Sequence, residues 1–170
     1  MLSAPGEKPD LCRQMNAALK LATGEIIVFL QDHIEIDPEA LQGIWALYEM
    51  NPTVCFTFPV GKKDGDEVKW DWRPYWCNEN TPKIEPQRFE IDFAMAPRVF
   101  MLPFDERYDS GFGWENVEVA YRMAKQGTQF AVEDCIRGVA FDHDKAEPHP
   151  YKHKPNQDLW IVDKGVLDLD

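Results

Sequence analysis

Residues 10–22 repeat their apolar positions with the period of a helix, which Pro9 and Asp10 start and Thr23-Gly24 end. The pattern then changes. Six residues from Ile26 onward carry no charge and are mostly β-branched or aromatic, the mark of a buried strand in a partly parallel sheet. Polar Gln31, Asp32 and His33 stand where that strand runs out, and Asp37-Pro38 opens a second helix that continues to Met50. Thr53–Phe58 reads as a short strand, 60–90 as a long connection rich in Lys, Asp, Pro and Trp, and Phe89–Met95 alternates like a strand. A third helix begins near Glu115, buries Val117, Val119, Ala120, Met123 and Ala124, and stops at Gly127. Residues 128–141 read as one or two strands. This alternation predicts an α/β fold, a mixed sheet flanked by helices in a single domain over residues 1–145. The polar, proline-bearing stretch 146–170 reads as a mobile C-terminal segment.

Two stretches carry candidate chemistry. Ligands of open α/β sheets collect at the carboxyl ends of strands, which is where Gln31-Asp32-His33 falls. In the second stretch, Gly111–Glu118, a glycine-rich aromatic loop delivers Glu115, Asn116 and Glu118 to the first turn of a helix. Free N–H groups and positive potential there hold acidic side chains ionised and aimed outward. Glu115, Glu118 and Arg122 recur at helical spacing and can share a polar face. An acid-capped surface helix explains the second stretch taken by itself; the strand-end site upstream gives it functional weight.

Composition narrows the class. The chain has 170 residues, enough for one core, and 44% hydrophobic with 12% aromatic content argues against wholesale disorder. A formal net charge of -12 argues against a nucleic-acid backbone or an anionic membrane surface as partner. Cys12, Cys55, Cys77 and Cys135 are widely spread, with no CxxC pair and no secretory leader, so reduced, mostly buried thiols in a cytoplasmic setting are expected. No apolar run is long enough to cross a bilayer as a helix.

With these residues in view, the chain resembles the GT-A-type glycosyltransferases, in particular the large family-2 group and the polypeptide N-acetylgalactosaminyltransferases. Asn16–Glu25 resembles the helix before the metal-binding elbow of that family, and Phe29-Leu30-Gln31-Asp32-His33 falls where it carries Asp-x-Asp or Asp-x-His. Phe104–Tyr108 followed by Gly113-Trp114-Glu115-Asn116-Val117-Glu118 resembles its acceptor-side motif. The resemblance covers roughly residues 10 to 145. It implies a partial GT-A, Rossmann-like fold and metal-dependent transfer of a sugar from a nucleotide-sugar donor to a glycan or other hydroxyl acceptor. It implies Mn2+ or Mg2+ held by Asp32, His33 and His143, with Gln31 on the donor side. Gln31 departs from the acidic residue that opens the elbow motif, and Asn116 departs from the carboxylate that serves inverting relatives as general base. Three accounts of that second departure stand. Glu115 is the base, with Asn116 orienting a hydroxyl; or configuration is retained and no such base is needed; or the site is inert. Relatives also carry base-binding strands ahead of the segment matching Asp10–Gly24. Their absence predicts an exposed sheet edge, completed by a homodimer or a partner chain.

The remaining candidates each have two readings. Trp70, Trp72, Tyr75 and Trp76 stack against sugar rings, with Asp71 and Arg73 on hydroxyls, or clamp a long loop to the domain. Asp92, Trp114 and Glu118 face the acceptor, as could Asp109, or Asp92 and Asp109 are solvated or capping residues. Lys152 and Lys154 steady the diphosphate, or belong to a solvated tail. Two other functions compete with transfer: a non-catalytic carbohydrate-binding or assembly module derived from a transferase, and a metal-dependent hydrolase. The second lacks a close His-x-x-x-His or His-x-His ligand pair.

Overall fold

The computed structural model describes residues 10–76, 83–110, 113–141 and 154–167. Helix α1 spans Leu11–Leu21, followed by strands β1 (Ile26–Leu30) and β2 (Ile34–Ile36) and helix α2 (Ala40–Met50). Strands β3 (Val54–Thr57), β4 (Val60–Asp64), β5 (Glu67–Trp70) and β6 (Phe93–Pro97) lead to helix α3 (Glu115–Lys125). Strands β7 (Gln129–Val132) and β8 (Gly138–Ala140) and helix α4 (Lys154–Leu167) complete the order. One mixed sheet runs β1-β6-β3-β7 and a second runs β2-β8-β4-β5. The architecture is a single α/β unit, as the alternation of patterns implies.

The first sheet is covered on both faces because its strands are apolar at nearly every position, Thr57 and Gln129 excepted, and period-two alternation sorts them into two cores. Phe29, Cys55, Ala94, Ala96, Phe130 and Val132 pack toward Val119, Ala120 and Met123 of α3. Phe56, Met95 and Ala131 turn the other way, toward Ile44 and Leu47 of α2. Strand β6 is buried along its whole length because it lies between β1 and β3.

Four expectations change. Strand β1 is half-buried rather than buried: among the described residues it pairs only with β6, antiparallel, and only Ile27 and Phe29 of it are buried. Parallel pairing belongs to β3–β7 and β4–β8. Second, the stretch 60–90 holds the hairpin β4–β5, turned at Asp64-Gly65-Asp66 with Gly65 at φ 64, a left-handed conformation that glycine adopts freely. Third, β6 starts at Phe93 rather than Phe89, because Asp92 folds its carboxylate back onto the Phe93 N–H at 2.8 Å. Fourth, residues 154–167, placed in a mobile segment by their composition, form α4. Its Trp160 meets Tyr121 of α3 edge-on at 5.1 Å and is 7% exposed.

Among the described residues, no helix is long and apolar enough to cross a membrane. Cys12 and Cys55 are buried free thiols, whereas Cys135 is free and exposed. Burial pushes the Cys55 thiol up to about 12, so it is not a nucleophile at neutral pH.

Candidate functional site

The elbow follows from the way β1 ends. Gln31 N–H donates to Asp92 O at 2.9 Å, tying the last residue before the turn to the start of β6. Ile34 N–H then donates to Gln31 O at 3.1 Å, which throws Asp32 and His33 to the outside of the turn. The Asp32 side chain is 96% exposed, and its Oδ1 lies 3.6 Å from His33 Nδ1. Phe141 N–H donates to His33 O at 3.0 Å, so β8 delivers the chain to this elbow. An exposed carboxylate beside an imidazole fits two ligand positions of a cation that accepts oxygen and nitrogen. No group of three or more such ligands exists among the described residues. The third expected ligand, His143, lies outside them, as does Lys152; Lys154 is the first residue of α4.

At the second stretch, Trp114 sits just ahead of α3 at φ 76, in the left-handed region, directly after Gly113 at φ 80. A tryptophan held there stores backbone strain of about 1–3 kcal/mol, which the surroundings must impose. They do so from α4: fully buried Asn156 donates to Gly113 O at 2.7 Å and to Tyr108 O at 2.8 Å. Asp163 accepts from Tyr108 Oη at 3.2 Å and from Arg107 Nη2 at 2.9 Å. At the other end of α1, Asp109 accepts from Cys12 N at 2.7 Å and Arg13 N at 3.3 Å, which fixes its role as a helix cap supplied from far along the chain.

The two motifs meet in one groove. It encloses about 420 Å³ between α1 and the open edge of β1, with Leu11, Met15 and Leu19 on its apolar wall and Gln31 and Glu115 both lining it. Asn116, 8% exposed, instead donates both amide hydrogens inward, to Phe89 O at 2.9 Å and to Glu90 Oε2 at 3.2 Å. Glu118 is 2% exposed and paired with Arg122, whose Nη2 also donates to Pro103 O at 2.7 Å. That pairing leaves Glu118 facing the interior of the domain rather than a bound ligand.

Asp92 is committed as well. Arg73, 2% exposed, bonds Asp92 Oδ2 at 2.8 Å, Asp71 through Nε at 2.8 Å and Thr57 Oγ1 at 3.0 Å. This network ties the turn after β5 to β3 and β6, so Arg73 and Asp71 act as a brace rather than as free hydroxyl-binding groups. The described tryptophans favour the clamp. The Arg137 guanidinium lies 4.7 Å over Trp70, while Trp72 packs on the main core with Arg88 5.6 Å from its ring. Trp76 ends the 3-10 turn Arg73–Trp76.

Electrostatics separate two carboxylates. Hydrogen bonding to Arg107 holds Asp105 below the ordinary range. Burial, then the charge of Asp92, pushes Glu90 up, with Arg73 opposing and Glu115 and Asp71 adding to the rise. Sequence reasoning passed over Glu90 and Asn156. Glu90 left a faint signal in the alternation Phe89-Glu90-Ile91-Asp92, which puts Glu90 and Asp92 on one side; Asn156 left none.

A mixed sheet flanked by helices, with polar residues at a strand end and at a helix start lining one groove, defines an α/β scaffold of the Rossmann-like type. The profile of the family "Glycosyl transferase family 2" matches residues 5–107, and the chain belongs to that family. Polypeptide N-acetylgalactosaminyltransferase 11 of Xenopus tropicalis is 26% identical over 155 residues, 77% of this chain and 26% of that protein. Over a short stretch of 45 residues the chain is 40% identical to protein trichome birefringence-like 19 of Arabidopsis thaliana, of which it covers 10%. The chain thus spans about a quarter or less of these relatives. A structure of GalNAc-T7 with UDP, GalNAc and Mn2+ superposes with a TM-score of 0.66 at 12% identity, covering 96% of this chain and 36% of that one. S. aureus TarS 1-349 with UDP-GlcNAc superposes at 0.60 with 16% identity, covering 87% and 45%. These likenesses establish the GT-A fold.

Proposed function

We infer that this chain carries the elbow and acceptor side of a transferase that moves a sugar from a nucleotide-sugar donor to a hydroxyl acceptor. The observation that carries the reading is the shared groove: Gln31 and Glu115, 84 positions apart in the sequence, line one cavity on a family-2 fold. In this reading Asp32 and His33, with His143, hold Mn2+ or Mg2+, which neutralises charge on the departing diphosphate. Gln31 bonds the donor, Lys152 and Lys154 steady the diphosphate, and Glu115 reaches the transferring sugar. Asn116 sets the geometry of the acceptor side. Trp114, with the Trp70, Trp72 and Trp76 segment, bounds the acceptor, and Asp92 supports it through Arg73.

Among the described residues β1 pairs on one side only, with β6, an edge that favours a donor site completed by a further strand, such as one from a second copy or a partner chain. Release of UDP from UDP-N-acetylgalactosamine or UDP-N-acetylglucosamine, with and without Mn2+, tests the reading. Glu115→Gln should abolish transfer while metal binding persists; full activity in that variant removes Glu115 from the chemistry. A chain that binds glycans, but neither nucleotide nor metal, is a binding module instead.

A further inference from the structure

Beside the first turn of α3 opens a second groove, lined by Gln87, Glu90, Gly113, Trp114, Asn116 and Val117. Trp114, in its strained conformation, forms one wall. Asn116 has no basic atom at neutral pH, yet its amide is fully engaged, one hydrogen on Phe89 O and the other on Glu90 Oε2 at 3.2 Å. Its effect is to anchor the carboxylate of Glu90, itself a lining residue of the groove. We propose that Glu90 is the catalytic base of the acceptor side, taking the proton of the acceptor hydroxyl, and that Asn116 is its positioning residue. The inference rests on the transferase reading above.

The step balances as follows. The acceptor oxygen forms a bond to the anomeric carbon of the nucleotide-sugar. The bond from that carbon to the diphosphate oxygen breaks, its electron pair leaving on the diphosphate, and the hydroxyl proton passes to Glu90. The groups facing Glu90 suit it to this work. Burial raises its affinity for a proton, Asp92 just ahead of β6 raises it further, Glu115 from α3 and Asp71 add smaller contributions, and Arg73 opposes them. The carboxylate is thereby a stronger base than one in water, closer to a working pH near neutral.

Two variants of the chain test this, assayed by UDP release from UDP-N-acetylgalactosamine with Mn2+ across pH. Glu90→Gln should lower kcat by about 10²–10³-fold, the usual worth of general-base catalysis, with UDP binding within twofold of wild type. It should also erase the acidic limb of the pH profile. Asn116→Asp should move that limb to higher pH, because a second carboxylate then faces Glu90, a shift that a purely structural contact does not produce. Activity of Glu90→Gln within a few-fold of wild type, or an acidic limb that persists unchanged in that variant, overturns the assignment and leaves the transferase reading standing. A wild-type chain that binds UDP with Mn2+ neither by calorimetry nor in the assay overturns the transferase reading and this inference with it.

Discussion

At the scale of single residues, the site is built from charges that the fold has engaged in specific ways. Arg73 is buried between Asp71 and Asp92, so removing it strands two carboxylates. Arg73→Met should cost about 3–5 kcal/mol in urea unfolding at pH 7, the range for breaking one partner out of a buried ion pair. Glu90 makes the opposite case. Its folded-state pKa lies above the unfolded value, so the protonated carboxyl is the form the native state prefers. Its stabilisation is complete below the unfolded value, near pH 4, and is lost as pH rises through the folded one. Glu90→Gln should therefore be more stable than wild type at pH 7, with the gain vanishing below about pH 4. A stability difference that grows on acidification contradicts the environment described for Glu90. Asp105, lowered by Arg107, has the reverse dependence and loses its contribution as pH falls through its folded value. Trp114 adds a test of strain: Trp114→Gly should raise stability by about 1 kcal/mol through relief of its φ, while weakening transfer.

Among elements, α4 does the most to shape the loop into α3 and was the hardest to read in the sequence. Asn156 holds the carbonyls of Tyr108 and Gly113, and without it the loop into α3 has no reason to keep Trp114 left-handed. Asn156→Ala should destabilise the chain by about 2–4 kcal/mol, since one buried and one part-buried carbonyl lose their donor, and should slow transfer more than stability alone explains. Helices α1, α2 and α3 were legible because each combines an apolar stripe with local start or stop residues. Helix α4 was not, because its docking residues, Asn156, Trp160 and Asp163, form no apolar period and find their partners far back in the sequence, the nearest 39 positions away. The hairpin β4–β5 escaped for a different reason. Its strands are largely exposed, so the alternation that marks a half-buried strand is weak, although Asp64-Gly65 marks the turn. Strand β1 was legible as a strand, and an exposed sheet edge was expected, but its half-exposure was not, because its composition, Ile-Ile-Val-Phe-Leu, carries none of the charges or prolines that usually guard an edge.

On the scale of the whole molecule, one sheet brings two motifs from distant parts of the chain to a common groove. The family and the α/β architecture were readable from the order of the motifs. Their meeting depends on β6 lying between β1 and β3, a pairing set by long-range packing rather than by local pattern. The acceptor-side network of Glu90, Asn116 and Arg73 was equally hidden, because its members come from separate loops. The excess of negative charge gives the metal its place in the account. A diphosphate has little reason to approach a chain of net charge -12 unless a cation at Asp32 and His33 offsets it. The most direct measurement is therefore the thermal midpoint of the 170-residue chain with Mn2+, with UDP, and with both together. Ligand at about a hundred times its Kd adds about 2.7 kcal/mol, which moves the midpoint of a domain of this size by about 5–10 °C. The account predicts that shift with metal and nucleotide together and little with either alone, and its loss in Asp32→Ala. An equal shift with UDP in the absence of metal, or no shift under any of the three conditions, contradicts it.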